Sequence, residues 1–390
     1  MLTVGIDHAA FYVPHYFLDL KTLAHARGID QNKFHIGLGQ HKMSITPPDE
    51  GIVTMAANAA AQILGPSDKE NITHLLFATE SGIDQSKSAG IFVHNLLGLQ
   101  PNCRIIELKQ ACYSATAGLQ MGLALLRQNP KQKILLIASD IARYGLNTSG
   151  ESSQGGGAIA MLLTSHPRLI AIEPGSGIYT EDVMDFFRPN YREEALVDGR
   201  FSCEMYLKAL KETWLMYQQE THRDYEHHDH FCYHIPIPRL AEKAHQKLAR
   251  INGVRPKESI TREQIRLITQ YSREIGNCYT ASLYMSMISL LDHATENLSG
   301  QRIGFYSYGS GCSAEYFSGI IQPKYQEVSH KDYHQNLLNH REELSQQAYE
   351  YFYQFPFPTD GSRIILPKHQ TGRYRLKEID QHKRIYEQVK

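Results

Sequence analysis

Short apolar segments of strand length alternate with helical patterns along the first half of the chain. Each segment ends in small or polar residues, and an amphipathic stretch over 113–128 lies between the second segment and the third. Apolar runs that alternate with helices are typical of α/β proteins, in which helices cover a buried sheet. The pattern therefore predicts strands over 73–79, 104–108, 133–138 and 157–164.

The second half of the chain shows a similar succession of elements. A helix over 278–294 is followed by an apolar strand over 302–307, just as the helix over 113–128 is followed by the strand over 133–138. This order predicts an internal duplication, with halves at 1–165 and 166–390 that share one interface. The other elements predicted there are a strand over 231–235, a helix over 238–250, a strand over 314–321 and a charged surface helix over 331–354.

Length and composition agree with two fused globular halves. The chain has 390 residues, more than one hydrophobic core usually fills. Lys and Arg (40) balance Asp and Glu (41), so the charge gives no sign of nucleic-acid binding. No apolar run reaches the ~18 residues of a membrane span, and the N-terminus lacks the basic start of a secretory signal. The six cysteines are scattered, which indicates a cytoplasmic protein without a disulfide framework.

Cys112 is the main candidate nucleophile. It lies between the predicted strand over 104–108 and a helix rich in small residues, among them Gly118 and Gly122. A thiol at a helix N-terminus lies at the positive end of the helix dipole, which favours the thiolate, and the free N–H groups there can bind an oxyanion. The alternative is a small buried thiol of the core, which is our interpretation of the other five cysteines.

Three further residues are candidates for proton transfer and substrate contact. Glu80 follows a buried strand, where desolvation would raise its pKa; helix capping or a surface turn is the alternative. His234 ends a strand that Pro236 and Pro238 terminate, although a core histidine is the commoner case in a chain with 20 histidines. Asn277 precedes a helix, a position that suits an N-cap equally well.

Two motifs point to other chemistry but carry little weight. The segment over 222–234 holds five histidines, yet His230 and His234 on one strand would lie roughly 13 Å apart, too far to share a metal ion. We therefore predict a solvated polar loop there and no metal site. The glycine-rich turn over 308–313 matches no phosphate-binding pattern, and its Ser310 N–H is at least as well suited to bind a reacting carbonyl.

Nine segments, in unbroken order from about residue 3 to 320, resemble bacterial hydroxymethylglutaryl-CoA synthases of the thiolase superfamily. They include THLLFATESGIDQSKSAG, ELKQACYSATAGLQ, HIPIPRLAEKA, GNCYTASLY and FYSYGSGCSAEYFSG. The resemblance implies an α/β thiolase-like fold, in which two similar halves, each with a five-stranded sheet, stack as αβαβα layers. It also implies a homodimer.

The resemblance assigns roles to individual residues. The acetyl-accepting cysteine corresponds to Cys112, the general acid/base glutamate to Glu80 and the catalytic histidine to His234. The residues that contact the substrates correspond to Asn277, Tyr144, Ser153, Ser202 and Ser310.

The CoA-contacting lysines of the family correspond to Arg239 and Lys243. Arg239 occupies the lysine position of the family's HxPxxK pattern. The substitution keeps the charge but replaces a point charge with a planar fork, so the detail of phosphate contact differs from the family pattern.

The implied reaction joins acetyl-CoA to acetoacetyl-CoA through an acetyl group on Cys112, with neither a metal nor a redox cofactor. Two alternatives stay open. A β-branching synthase that acts on acyl-carrier-protein substrates in polyketide synthesis would share Cys112, Glu80 and His234. A protein that binds acyl-CoA without catalysis is an alternative from another class, and it leaves the presence of all three reactive residues unexplained.

Overall fold

The structure is a computed structural model that describes residues 2–255 and 258–389. The four strands predicted in the first half are confirmed as β4 to β7. The elements up to residue 164 are β1 (Gly5–Tyr12), β2 (Tyr16–Asp19), α1 (Leu20–Arg27), β3 (Lys42–Ile45), α2 (Ile52–Ile63), α3 (Pro66–Asn71), β4 (Ile72–Ala78), α4 (Ala89–Leu97), β5 (Arg104–Leu108), α5 (Ser114–Gln128), β6 (Lys133–Ile141) and β7 (Gly156–Thr164).

The predicted elements of the second half are also present, except for the helix over 331–354. The elements after residue 164 are β8 (Ile170–Ile172), β9 (Gly177–Thr180), β10 (Phe186–Phe187), β11 (Leu196–Val197), α6 (Gly199–Thr221), β12 (His230–Tyr233), α7 (Pro238–Ile251), α8 (Glu258–Ile275), α9 (Ser282–His293), β13 (Arg302–Gly309), β14 (Ser313–Ile321), α10 (Lys331–Asn339), β15 (Glu342–Glu343), α11 (Gln346–Tyr353), β16 (Ile364–Ile365), β17 (Tyr374–Asp380) and β18 (Lys383–Gln388).

The two halves contain the same arrangement of strands. In the first half, β4 pairs with β6 in parallel, and β6, β7 and β1 follow in antiparallel order; β5 adds a parallel strand at the edge. In the second half, β12 pairs with β13 in parallel, and β14 and β8 follow in antiparallel order, with β9 also on β14. Each half thus contributes five strands, and the pairing of β8 with β1 joins them into one ten-stranded sheet.

Two helices form a central layer between the halves. The Thr116 hydroxyl on α5 lies 2.9 Å from the Tyr284 hydroxyl on α9 and donates a hydrogen bond of 2.8 Å to Ser307 on β13. The outer face of the first half is covered by α2 and α4, and that of the second half by α6 and α7. The layers therefore follow the order αβαβα that the family resemblance implies.

The small residues of α5 allow this helix to lie close to the sheet. A Cβ atom on Gly118 would lie 2.7 Å from a methyl carbon of Leu136, and one on Gly122 would lie 2.6 Å from a methyl carbon of Leu163. Larger side chains there would displace the helix, because protein interiors are closely packed. The close approach fixes the start of α5, and with it the turn that carries Cys112.

The predicted surface helix over 331–354 is wrong. The segment forms α10 and α11, and between them Glu342 and Glu343 pair with β2 as the short strand β15. Both helices also bury side chains, since His334 and Tyr349 are almost inaccessible to solvent. A strand pairing with a distant part of the chain overrides the local helical pattern.

The predicted solvated loop over 222–234 is also wrong in part. His228 and His230 are buried. His228 contacts the Tyr217 hydroxyl at 3.2 Å, and His230 contacts the side-chain oxygen of Gln301 at 2.6 Å. These two imidazoles are part of the packing of the second half.

The last part of the chain packs on the first half. Arg373 donates its backbone N–H to Asn58, and Arg375 forms a buried ion pair with Asp49 at 2.9 Å. The division into 1–165 and 166–390 stays a prediction. No helix within the described ranges has both the length and the apolar character needed to cross a membrane.

Candidate active site

The side chains predicted to carry the chemistry of the first half meet at one edge of its sheet. Because β4, β5 and β6 are parallel, their carboxyl ends lie at the same edge, where α/β proteins commonly place their sites. Glu80 follows β4, Cys112 follows β5, and Asp140 lies near the end of β6. Residues far apart along the chain are brought together in this way.

Cys112 and Glu80 are in direct contact. The Cys112 thiol donates a hydrogen bond to Glu80 Oε1, with a distance of 2.8 Å between sulfur and oxygen. Cys112 lies just before α5, as predicted, and both residues are largely covered by the protein but not fully buried. The preceding residue, Ala111, has a φ of 43°, a left-handed conformation that is uncommon without glycine and that turns the chain sharply into the helix.

The charge state of the pair differs from the expectation for a helix N-terminus. Burial and the adjacent Glu80 carboxyl raise the pKa of the Cys112 thiol well above its ordinary value. Burial and the charge of Asp140 raise the pKa of Glu80 to about 8. The resting sulfur is therefore a thiol, and Glu80 changes its protonation near neutral pH, as a general base needs to.

Asp140 holds the backbone beside Glu80, and sequence reasoning missed this role. The carboxylate is inaccessible to solvent and accepts hydrogen bonds from the backbone N–H groups of Glu80 (2.7 Å) and Ser81 (3.0 Å) and from the Thr79 hydroxyl (2.9 Å). Its second oxygen accepts from Thr280 at the start of the second half's central helix. The only sequence signal is an aspartate at the end of an apolar strand, which by itself does not identify a partner.

Asn277 and Tyr144 form the next part of the site. The Asn277 amide donates to the Tyr144 hydroxyl at 3.0 Å, and its oxygen accepts from the Tyr279 N–H (2.9 Å) and the Ser282 hydroxyl (3.0 Å). Burial, followed by the nearby Cys112, raises the pKa of Tyr144. Asn277 therefore holds the turn that precedes α9 through its side-chain oxygen, while its amide N–H donates to Tyr144.

Ser153 supports Asn277 through its backbone. The Ser153 carbonyl accepts the Asn277 N–H at 3.0 Å. Its own hydroxyl donates to the Gly150 carbonyl at 2.8 Å, within the same turn.

His234 lies at the carboxyl end of β12, on the second half. It is buried, its N–H donates to the Tyr306 carbonyl at 2.8 Å, and its carbonyl accepts from the Tyr206 hydroxyl. Burial lowers the pKa of His234 to about 3, so the imidazole is neutral. Nδ1 has no hydrogen-bond partner among the described residues, which leaves the ring able to bind a ligand.

A residue that no sequence pattern identified connects Ser202 to the turn that carries Ser310. Asp185 is buried and accepts from the Ser202 hydroxyl (2.9 Å), the Tyr308 hydroxyl (2.8 Å) and the Gly311 N–H (2.9 Å). The Ser310 carbonyl accepts from Gln110, which precedes Cys112 in the chain, at 3.3 Å. The glycine-rich turn of the second half thus lies against the turn that carries the nucleophile.

The segment after Asp185 also covers Glu80. The Arg188 guanidinium donates to the Glu80 carbonyl, and its charge acts to lower the pKa of the Glu80 carboxyl. The Phe186 ring contacts the Tyr144 and Tyr279 rings edge-on, at centroid distances of 5.9 and 5.8 Å. Neither Arg188 nor Phe186 has a sequence pattern that would have identified it.

The two predicted CoA contacts lie on α7. The Arg239 guanidinium is engaged by the protein itself, since it pairs with Glu242 and donates to the Ile36 carbonyl at 2.9 Å. Lys243, one turn further along, is exposed. Among the described residues, no hydrogen bond joins Arg239 or Lys243 to Cys112.

Comparison with known proteins finds similar sequences and a similar fold over almost the whole chain. Family models for the N-terminal and C-terminal parts of hydroxymethylglutaryl-coenzyme A synthase match residues 2–167, and 170–266 with 254–389. The chain is 42% identical to a hydroxymethylglutaryl-CoA synthase of Enterococcus faecalis, over 93% of this chain and 95% of that protein. It is 35% identical to the polyketide biosynthesis 3-hydroxy-3-methylglutaryl-ACP synthase PksG of Bacillus subtilis, over 90% and 88% of the two chains. A crystal structure of an HMG-CoA synthase complexed with CoA superposes with a TM-score of 0.94 at 39% identity, over 99% and 100% of the two chains.

Replacement of Gly276 by alanine tests how tightly Asn277 is held. Gly276 has a φ of 87°, and a Cβ atom there would lie 2.0 Å from the Gln154 carbonyl oxygen. The Gly276→Ala variant is therefore expected to lose more than about 3 kcal/mol of unfolding free energy in urea denaturation, because strain adds to a clash with backbone.

Gly300→Ala is the matched control. Gly300 has a φ of 80°, but an added Cβ atom would meet nothing within 4 Å among the described residues. The Gly300→Ala variant should lose only about 1–2 kcal/mol of unfolding free energy, the cost of a left-handed conformation for alanine. Equal losses in the two variants would contradict the close approach of Gly276 to Gln154.

Proposed function

Because the chain belongs to the hydroxymethylglutaryl-CoA synthase family, we propose that it condenses acetyl-CoA, acetoacetyl-CoA and water to hydroxymethylglutaryl-CoA and free CoA. The observation that carries this proposal is the hydrogen bond of 2.8 Å between the Cys112 thiol and Glu80. It joins a nucleophile to a base whose pKa is about 8, and the reaction needs both.

In the first step, Cys112 accepts the acetyl group. Its sulfur attacks the thioester carbonyl of acetyl-CoA while the thiol proton passes to Glu80, so that the nucleophile forms only as it reacts. The proton then goes to the departing CoA sulfur, which leaves an acetyl thioester on Cys112 and free CoA. The raised pKa of the thiol supports this order, because a resting thiolate is not required.

In the second step, the acetyl group becomes the carbon nucleophile. Glu80 removes a methyl proton, which the thioester makes acidic, and the backbone N–H groups of Cys112 and Ser310 bind the enolate oxygen. The carbanion adds to the ketone of acetoacetyl-CoA, which His234 and Asn277 hold. Since His234 is neutral, Glu80 is the better source of the proton that completes the tertiary alcohol.

In the last step, water hydrolyses the thioester on Cys112. This releases hydroxymethylglutaryl-CoA and regenerates the thiol. These steps use the substrates' own thioester chemistry and need no metal or redox cofactor.

The remaining predicted site residues contact the substrates. Tyr144, Ser153 and Ser202 contact the acyl groups in this proposal, and Lys243 contacts CoA phosphate. Arg239 contributes its charge from a guanidinium that also binds the Ile36 carbonyl, which supports a less direct phosphate contact than a lysine would make.

We also propose that the protein works in the cytoplasm, in the mevalonate route to isoprenoids. The six cysteines are free thiols, as the reducing conditions there favour.

The carrier of the acetyl donor is the main alternative. The 35% identity to PksG supports an enzyme that takes its acyl group from an acyl carrier protein, whereas the 42% identity to the Enterococcus faecalis protein supports CoA. The two functions differ in which acetyl donor, the CoA thioester or the carrier-protein thioester, acylates Cys112 with the higher kcat/KM.

Cys112→Ala and Glu80→Ala separate the two steps. With acetyl-CoA alone, wild type should gain one acetyl group by intact-mass measurement and Cys112→Ala should gain none. Glu80→Ala should gain the acetyl group more slowly but still completely, because it keeps the nucleophile and lacks only the base that takes the thiol proton. With acetoacetyl-CoA added, Glu80→Ala should make hydroxymethylglutaryl-CoA roughly 10²–10⁴-fold more slowly, the range for loss of a general base. An unacetylated wild type would favour a non-catalytic acyl-CoA-binding protein, and normal condensation by Glu80→Ala would remove that residue from the role of base.

We further propose that the protein is a homodimer formed through β5. This strand is at one end of the sheet, and its Ile106 side chain is 54% exposed. Met121, on the helix that packs on β5, is 51% exposed. An uncovered apolar strand edge can pair with a strand of another chain. A second copy related by a two-fold axis would cover the β5 edge of each copy at once.

Ile106→Lys tests this interface, because two lysines would face each other across the paired edges. The variant should weaken the dimer by roughly 2 kcal/mol or more in sedimentation equilibrium, as loss of a central contact does. Ile178→Lys, at a side chain that is 49% exposed on the second half, is the control and should leave the dimer intact. A wild-type monomer, or equal effects of both variants, would rule out pairing through β5.

A further inference from the structure

The turn before α9 has the same backbone as the turn that carries the nucleophile. Ala111 has a φ of 43° and Tyr279 a φ of 44°, and each lies three residues before the first residue of its helix, Ser114 and Ser282. A left-handed conformation is costly for a residue as large as tyrosine. The left-handed residue lies at the same position in both turns. The two halves therefore share one backbone conformation at the start of their central helices.

The same hydrogen bond closes both turns. In the first half, the Gln110 N–H donates to the Ser114 hydroxyl at 2.5 Å. In the second half, the Cys278 N–H donates to the Ser282 hydroxyl at 3.0 Å. This correspondence aligns Cys112 with Thr280.

The aligned side chains of Cys112 and Thr280 each donate a hydrogen bond to an acidic side chain. Cys112 donates its S–H to the Glu80 carboxyl, and Thr280 donates its hydroxyl and its backbone N–H (3.1 Å) to Asp140. The other oxygen of Asp140 accepts the Glu80 N–H at 2.7 Å. The two turns are therefore connected, through Asp140, to the same glutamate.

We propose that Thr280 is a positioning residue for the condensation: it holds Asp140 so that Asp140 fixes Glu80 against Cys112. This inference rests on the proposed function. Thr280 is buried, and its hydroxyl donates to Asp140 and lies 3.3 Å from the Ala78 carbonyl oxygen. Burial raises the pKa of Asp140, and the strongest opposing contribution is the hydrogen bond from the Thr280 side chain.

Removal of the Thr280 hydroxyl should shift the pH dependence of condensation in one direction. Without the Thr280 hydroxyl, Asp140 binds a proton more readily, so it places less negative charge beside Glu80. The pKa of Glu80 then falls, and condensation persists to lower pH. The groups that influence Glu80 or Asp140 electrostatically are Cys112, Arg188, Tyr144, Tyr279, Glu107 and Cys278.

Thr280→Val and Thr280→Ser provide the test, since valine removes the hydroxyl with little change of shape and serine keeps it. The rate of condensation from acetyl-CoA and acetoacetyl-CoA is measured against pH, together with acetylation of Cys112 by mass. Thr280→Val should move the acid limb of condensation down by at most about one pH unit, because the lost hydrogen bond acts on Asp140 and only the charge of Asp140 acts on Glu80. At the plateau it should condense roughly tenfold more slowly. Thr280→Ser should restore the wild-type limb.

Two results would overturn the proposal. One is a wild-type profile for Thr280→Val; the other is an equal loss of rate in both variants with the limb unmoved, which marks a purely structural role. If Thr280→Val does not fold, Thr280→Cys replaces it, because a thiol is a weaker donor, and an unmoved limb in that variant also overturns the proposal. Failure of wild type to make hydroxymethylglutaryl-CoA in the same assay would instead contradict the proposed function.

Discussion

The hydrogen bond between the Cys112 thiol and the Glu80 carboxyl is the interaction on which the rest of the site depends. Burial raises the pKa of both groups, and the Glu80 carboxyl raises the pKa of the thiol further, whereas the hydrogen bond from the thiol acts to lower the pKa of Glu80. The pair therefore keeps its protons at rest and has a base that responds near neutral pH. The remaining parts of the site hold this pair in place or provide room for the two acyl groups.

The duplicated fold makes this contact possible. The first half supplies both partners from the carboxyl ends of parallel strands, and the central helix of the second half starts at the same place. Asp140 connects the two, because one of its oxygens binds the Glu80 N–H and the other binds Thr280. A site shared between halves in this way depends on their relative position, and the pairing of β8 with β1 fixes that position.

Much of the fold could be predicted from the sequence, because the residue patterns that indicate strands and helices are local. Apolar runs indicated the strands of both halves. The position of Cys112 between a strand and a helix rich in small residues made it a candidate, and the family resemblance assigned it the role of nucleophile. Asp140, Asp185 and Arg188 could not be identified in this way. Their partners are distant along the chain, and an aspartate at a strand end or an arginine in a loop has no distinctive pattern.

The expectations that failed did so because tertiary contacts outweighed a local preference. Residues 331–354 have a helical pattern, yet β15 interrupts it to pair with β2. The helix N-terminus favours a thiolate at Cys112, yet burial and the Glu80 carboxyl outweigh it. In both cases the deciding group is brought close only by the folded chain.

The most direct measurement is the pH dependence of Cys112 alkylation by iodoacetamide, followed by intact mass in wild type and in Glu80→Gln. The thiol should react with a midpoint well above the ordinary value of about 8.5, and the glutamine variant, which lacks the carboxylate, should have a lower midpoint. A wild-type midpoint below about 7 that Glu80→Gln leaves unchanged would mean that the helix N-terminus, and not Glu80, controls the sulfur.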